Sequence, residues 1–184
     1  MPTPFRVAVY CASAPGLNHI HRATASDLGA ALAQAGMGLV YGGASVGLMG
    51  LVADAALAHG AEVIGVLPEI LSSSEIAHPN LTQLIATASM QQRKATMIEL
   101  SHAVIALPGG YGTLDELMEA LTWLQLGIIR FPIILINTLG YYDHLLAFLD
   151  HAVASGFLKA KNRALIQIAP TPANAVQLLQ QLRS

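Results

Sequence analysis

Cys11 is the one cysteine of the chain, so no internal disulfide can form and no thiolate cluster can hold a metal. That fits a reducing compartment, and a cytoplasmic protein is expected. Charge is equally scarce. Charged residues make up 11% of 184 positions, and a net charge of −2 gives no electrostatic case for binding nucleic acid. With 54% of residues hydrophobic, so few charges cannot cover the surface, and part of the apolar area is expected to be shared in a homodimer. Long apolar runs are missing as well. The stretch GIIRFPIILIN (127–137) is broken by Arg130 and Pro132 and is too short for a bilayer, so no membrane association is expected. The N-terminal MPTPFRVAVYCAS reads as a first strand rather than an export signal. The seven histidines show no HExxH or comparable ligand spacing, and no metal is expected.

What is present is an alternation. Short β-branched or apolar runs are each followed by a glycine or polar turn and then by an alanine- and leucine-rich segment with helical spacing, the pattern of parallel βαβ units. Strands are expected over Arg6–Cys11, Leu39–Tyr41, Glu62–Leu67, Leu81–Thr87, Ala103–Leu107, Ile133–Asn137 and Leu165–Ile168. Helices are expected over Asn18–Ala35, Leu48–His59, Met90–Ser101, Thr113–Leu126, Tyr141–Ser155 and Thr171–Leu182. Runs such as AVIAL and PIILI are what a sheet covered on both faces requires. The expectation is an α/β fold, a doubly wound, Rossmann-like parallel sheet of about seven strands, with residues 1–184 forming a single domain.

In open sheets of this kind ligands sit beyond the carboxyl ends of the strands. Three loops at such places are rich in small residues: CASAPG (11–16), GGASVGLMG (42–50) and PGGYGT (108–113). No GxGxxG follows the first strand and no Walker loop occurs, which counts against a nicotinamide or P-loop nucleotide site. Ser13 and Ser45 have no G-x-S-x-G elbow around them, so they line the pocket or satisfy a turn rather than act as nucleophiles.

Gly109, Gly110 and Gly112 leave the backbone open to a ligand, and Thr113 can cap the helix that follows, making its N–H groups a seat for phosphate. A plainer reading treats Thr113 and Glu116 as a capping box, S/T-x-x-E, with the glycines only making the turn. Asp115 and Glu119 face one way on that helix and Glu116 another, so only one of these faces can see a ligand. In SMQQRKATMIEL (89–100), Arg93 and Lys94 are adjacent, either to neutralise a phosphate or as a solvated basic face.

The segments YGGASVGLMG (41–50), RKATM (93–97) and PGGYGTLDE (108–116) together resemble the Lonely Guy family of cytokinin riboside 5′-monophosphate phosphoribohydrolases, often labelled lysine decarboxylases. The similarity extends over nearly the whole chain, through VADAALAHGAEVIGVLPE, TWLQLG and GYYDHLLAFLDHAVASGFL. The resemblance implies hydrolysis of the N-glycosidic bond of a purine ribonucleoside 5′-monophosphate to free base and ribose 5-phosphate, by a homodimer that needs no cofactor. It implies phosphate and ribose against Gly110, Tyr111, Gly112 and Thr113 in the loop opened by Gly109, with Gly43, Ser45 and Ser13 in the neighbouring loops. Glu116 and Arg93 become the catalytic pair, with Lys94, Glu75 and Thr122 at the substrate. Two loops depart from the family pattern: the usual CGSS reads Cys11-Ala12-Ser13-Ala14 and GGGS reads Gly42-Gly43-Ala44-Ser45. The added methyl groups can narrow the pocket or change which base is accepted. A rival reading is a carrier of a phosphorylated cofactor, like the molybdenum-cofactor carriers of similar fold. Such a carrier has no need of a carboxylate placed to stabilise a cation.

Overall fold

The computed structural model describes residues 4–71 and 77–183; Glu75 lies outside them. Seven parallel strands, β1 (Phe5–Tyr10), β2 (Met37–Tyr41), β3 (Val63–Pro68), β4 (Gln83–Thr87), β5 (Ala103–Ala106), β6 (Ile133–Ile136) and β7 (Ile166–Ala169), form one sheet in the order β4-β3-β2-β1-β5-β6-β7. The helices are α1 (His19–Gln34), α2 (Gly47–Ala58), α3 (Met90–Glu99), α4 (Tyr111–Gln125), α5 (Asp143–Ala154), α6 (Ala160–Arg163) and α7 (Pro172–Arg183).

Alternation along the strands separates two cores. On β1, Val7 and Val9 pack with α1, α2 and α7, whereas Ala8 and Tyr10 pack with α3, α4 and α5. Every residue of β2, β3, β5 and β6 is buried, which is why these strands are apolar on both sides. Helices α1 and α2 approach closely because Gly29 carries no side chain: a Cβ there would collide with the Val52 carbonyl and stand 2.9 Å from the Ala56 nitrogen.

The strand order reverses at β1, whose neighbours are β2 and β5, with Tyr10 opposite Ala106. The crevice between the carboxyl ends of β1 and β5 is therefore the switch point at which such sheets bind ligands. The expected α/β architecture is thus observed, with local corrections; β2 already begins at Met37 rather than Leu39, and α5 begins at Asp143 rather than Tyr141. β4 starts at Gln83 rather than Leu81, because the Thr82 hydroxyl takes the Val63 N–H at 3.0 Å. Helix α4 starts at Tyr111, with Gly110 and not Thr113 at the N-cap. The short α6 was not expected; its Arg163 ties back to Asp150 on α5 at 2.7 Å.

Candidate active site

Above that switch point lies a cavity of about 290 Å³. Its walls are Val9 at the end of β1 with Cys11 to Ala14 after it, Gly42 from the β2–α2 connection, Met49 from the first turn of α2, Arg93 from α3, and Gly110 to Thr113 with Glu116 from the start of α4.

The loop 107–110 is held by its carbonyls, from Ala12 in the cavity wall and from two tyrosines outside it. Ala12 N–H donates to the Pro108 carbonyl at 3.2 Å, and the hydroxyls of Tyr142 and Tyr141 donate to the carbonyls of Leu107 and Gly109 at 2.5 and 2.7 Å. Gly110, as N-cap, offers no side chain to occupy the first N–H groups of α4. A helix start without a side-chain cap, bordering a cavity, has the donors and the positive macrodipole end that can seat an anion. The start of α2 is used differently: Leu48 and Met49 N–H groups bond the Ala12 carbonyl at 3.0 and 3.3 Å, tying the first two loops together. That contact needs glycine at 47, which has φ of 62° and would otherwise drive a Cβ into the Ser13 backbone.

Arg93 and Glu116 meet in the cavity wall. Arg93 Nη1 donates to Glu116 Oε1 at 2.8 Å, with both side chains 8% exposed, and Arg93 Nε donates to the Val66 carbonyl at 3.0 Å. Glycine at 42 makes room for this: a Cβ there would collide with Arg93 Nη2 and sit 2.8 Å from Met49 Sδ. The pair puts an acceptor carboxylate and a fixed cation beside the start of α4. Lys94 turns away from them. Its ammonium binds Asp115 at 3.0 Å and also Glu119, both on the other face of α4. Burial disfavours the Lys94 charge, but hydrogen bonds to Glu119 and Asp115 outweigh that and raise its pKa.

Two further titratable groups border the carboxylate. Burial first, and the Glu116 charge second, push the Tyr10 phenol and the Cys11 thiol well above their ordinary ranges, against a smaller opposing effect of Arg93. Both are neutral at physiological pH.

Of the residues singled out in the sequence, Ser13, Arg93, Gly110, Tyr111, Gly112, Thr113 and Glu116 line the cavity together. Gly109 stands behind it, packed on Thr113. Gly43 is buried at φ of 81° and its carbonyl accepts the His78 N–H at 2.9 Å; neither it nor the half-buried Ser45 lines the cavity. Thr122 is exposed two turns further along α4, donates to the Met118 carbonyl at 2.7 Å, and borders a separate cavity with Leu149 and Arg163. Gly42 and Met49 were foreseen only as members of the loop 42–50, and Tyr141 and Tyr142 were not foreseen as supports of the site. Among the described residues no group of three or more His, Cys, Asp or Glu side chains could hold a metal ion, and no helix is long and apolar enough to cross a membrane.

A glycine loop and a helix start at the switch point of a doubly wound sheet define a class, the Rossmann-like α/β proteins with a cavity between strand ends. Within that class the chain belongs to the Lonely Guy family. The family described as possible lysine decarboxylase matches residues 49–179. A probable cytokinin riboside 5′-monophosphate phosphoribohydrolase of Oryza sativa subsp. japonica is 47% identical over 96% of this chain and 72% of its own length. A cytokinin riboside 5′-monophosphate phosphoribohydrolase of Arabidopsis thaliana is 46% identical over 96% of this chain and 82% of its own length. Among solved structures, the molybdenum cofactor binding protein of Rippkaea orientalis superposes with a TM-score of 0.74 over the full length of both chains, at 24% identity, a likeness of fold alone.

Proposed function

We propose that this chain hydrolyses the N-glycosidic bond of a purine ribonucleoside 5′-monophosphate, of the cytokinin type or AMP, releasing the free base and ribose 5-phosphate. The observation that carries this reading is the Arg93–Glu116 pair in the wall of the cavity, next to the uncapped start of α4. In the reading, the phosphate rests on the backbone of Gly110 to Thr113, with Ser13 across the cavity. The ribose then lies over Glu116. As the C1′–N9 bond breaks, its electron pair leaves with the base and the sugar gains oxocarbenium character, which the carboxylate stabilises. Water adds to C1′, and its proton ends on the departing base. Arg93 stays protonated throughout, so it orients Glu116 and substrate rather than supplying a proton.

Lys94 in this reading steadies α4 through Asp115 and Glu119, and Gly109 shapes the loop. Gly43 and Ser45 shape the loop that carries Gly42 into the cavity wall, and Thr122 approaches the ligand only from beyond the walls seen in the single chain. A homodimer is supported by large apolar side chains left in solvent, among them Phe148, Phe157, Leu126 and Ile128. Light scattering at twice the chain mass of 19.3 kDa would agree with it. The net charge of −2 speaks against nucleic acid as a partner, and the buried free Cys11 suits the cytoplasm.

Decarboxylation of lysine through pyridoxal phosphate needs a cavity lysine to form the Schiff base. Among the described residues no lysine lines this cavity, and Lys94 is committed to two carboxylates. The fold shared with molybdenum-cofactor carriers leaves one competitor, a protein that binds a nucleotide and returns it intact. Incubation with AMP and with isopentenyladenosine 5′-monophosphate separates the two. Free base in the chromatogram supports hydrolysis, whereas bound but intact nucleotide in both reactions makes the protein a carrier.

A further inference from the structure

Three successive carbonyls of the loop feeding α4 are all engaged, those of Leu107 by Tyr142, of Pro108 by Ala12 and of Gly109 by Tyr141. Two of the three donors are adjacent residues delivered by one turn after β6. That turn is strained: Leu139 stands at φ of 56°, a conformation L residues rarely adopt, with its side chain 60% exposed and so little burial to compensate. It is also pinned. Asn137 Oδ1 accepts the Tyr142 N–H at 2.8 Å and Asn137 Nδ2 donates to Asp143 Oδ1 at 2.7 Å. The Tyr141 ring meets Tyr142 edge-on at 5.1 Å and His21 at 5.8 Å, which fixes where its hydroxyl points. Strain held this firmly, two residues before the tyrosine that serves a carbonyl behind a ligand loop, calls for a function.

We propose that Tyr141 is a positioning residue for the phosphate end of the substrate, acting through the Gly109–Gly110 peptide. A trans peptide points its carbonyl and its N–H in opposite directions. Drawing the Gly109 carbonyl toward Tyr141 turns the Gly110 N–H away from Tyr141, and Gly110 lines the cavity while Tyr141 does not. A Gly-Gly unit has unusual freedom to rotate, and the rotated form would present a carbonyl oxygen to an anion. The Tyr141 hydroxyl holds the donor-forward form. The inference rests on the reading of residues 110–113 as the phosphate seat.

The test compares wild type, Tyr141→Phe and Tyr142→Phe. Phenylalanine at 141 keeps the ring packing and removes only the hydroxyl. Ribose 5-phosphate is titrated by calorimetry, AMP turnover is measured across substrate concentration, and thermal midpoints are recorded. Tyr141→Phe should weaken ribose 5-phosphate about three- to tenfold, the worth of one oriented hydrogen bond, and raise KM for AMP by a similar factor with kcat nearly unchanged. Tyr142→Phe, whose buried hydroxyl serves the Leu107 carbonyl, should lower the thermal midpoint without that split. If wild type fails to bind ribose 5-phosphate, the phosphate seat itself is wrong and the inference falls with it. If wild type binds and Tyr141→Phe binds equally well, or loses kcat with KM and affinity unchanged, the positioning role alone is overturned.

Discussion

Arg93 on α3 and Glu116 on α4 form an ion pair of 2.8 Å in the wall of the cavity, with each side chain 8% exposed. Taking two charges this far out of water is costly, and an isolated pair so placed adds little net stability. In the proposed reaction the placement serves chemistry, because a low-dielectric wall strengthens the field that a carboxylate exerts on a developing cation.

Replacing Glu116 by Gln keeps the shape and removes the charge. Base release from AMP should fall by at least about 100-fold, the usual order when a preorganised electrostatic partner of a transition state is lost. Chromatographic assay beside circular dichroism checks it. Near-normal turnover by a folded Glu116→Gln protein would sink the mechanism.

Removing the other partner should affect the fold as well. Arg93→Met leaves Glu116 in the wall without its guanidinium and frees the Val66 carbonyl that Arg93 Nε serves. A loss of roughly 3–5 kcal/mol in unfolding free energy is expected from a broken buried pair. The double variant Arg93→Met/Glu116→Gln should recover part of that stability in urea titrations while staying inactive. Additive losses would mean that the two side chains do not act as a pair.

The fold was legible because the sheet is covered on both faces, so β5 and β6 appear as unbroken apolar runs, AVIA and IILI. The site was legible in its residues but not in their directions. Neighbours on a helix point about 100° apart, so the pair Arg93-Lys94 could not both face one ligand. Arg93 entered the cavity and Lys94 took Asp115 and Glu119. Thr113 and Glu116 have the spacing of a capping box, yet Gly110 caps the helix, and Glu116 finds Arg93, 23 positions away in sequence. Local spacing carries no information on such a contact. The same holds for Tyr141, which reaches Gly109 across 32 positions and which the sequence pattern placed simply at the start of a helix.

The glycines of the loop should separate by what their missing Cβ would meet. At Gly109 a methyl group would collide with Thr113 Oγ1 and lie 2.6 Å from its Cβ, so Gly109→Ala must shift the loop and should lower both the thermal midpoint and nucleotide affinity. At Gly110 nothing stands within 4 Å and the added methyl would enter the cavity. Gly110→Ala should therefore fold with an unchanged midpoint and bind AMP more weakly. Equal behaviour of the two variants would show that the loop is not shaped around a ligand.

Cys11 offers the last discrimination, because a buried cavity thiol could otherwise be taken for a nucleophile. Burial, and next the charge of Glu116, hold its pKa well above the ordinary thiol range, so the thiolate is a negligible fraction at neutral or mildly alkaline pH. Raising the pH through the usual thiol range should accordingly leave turnover flat with respect to this group. Iodoacetamide at pH 8 should modify native protein far more slowly than urea-unfolded protein, which mass spectrometry would follow. Rapid alkylation of the folded chain would mean an activated thiol. Covalent catalysis from Cys11 would then have to be weighed against the carboxylate mechanism.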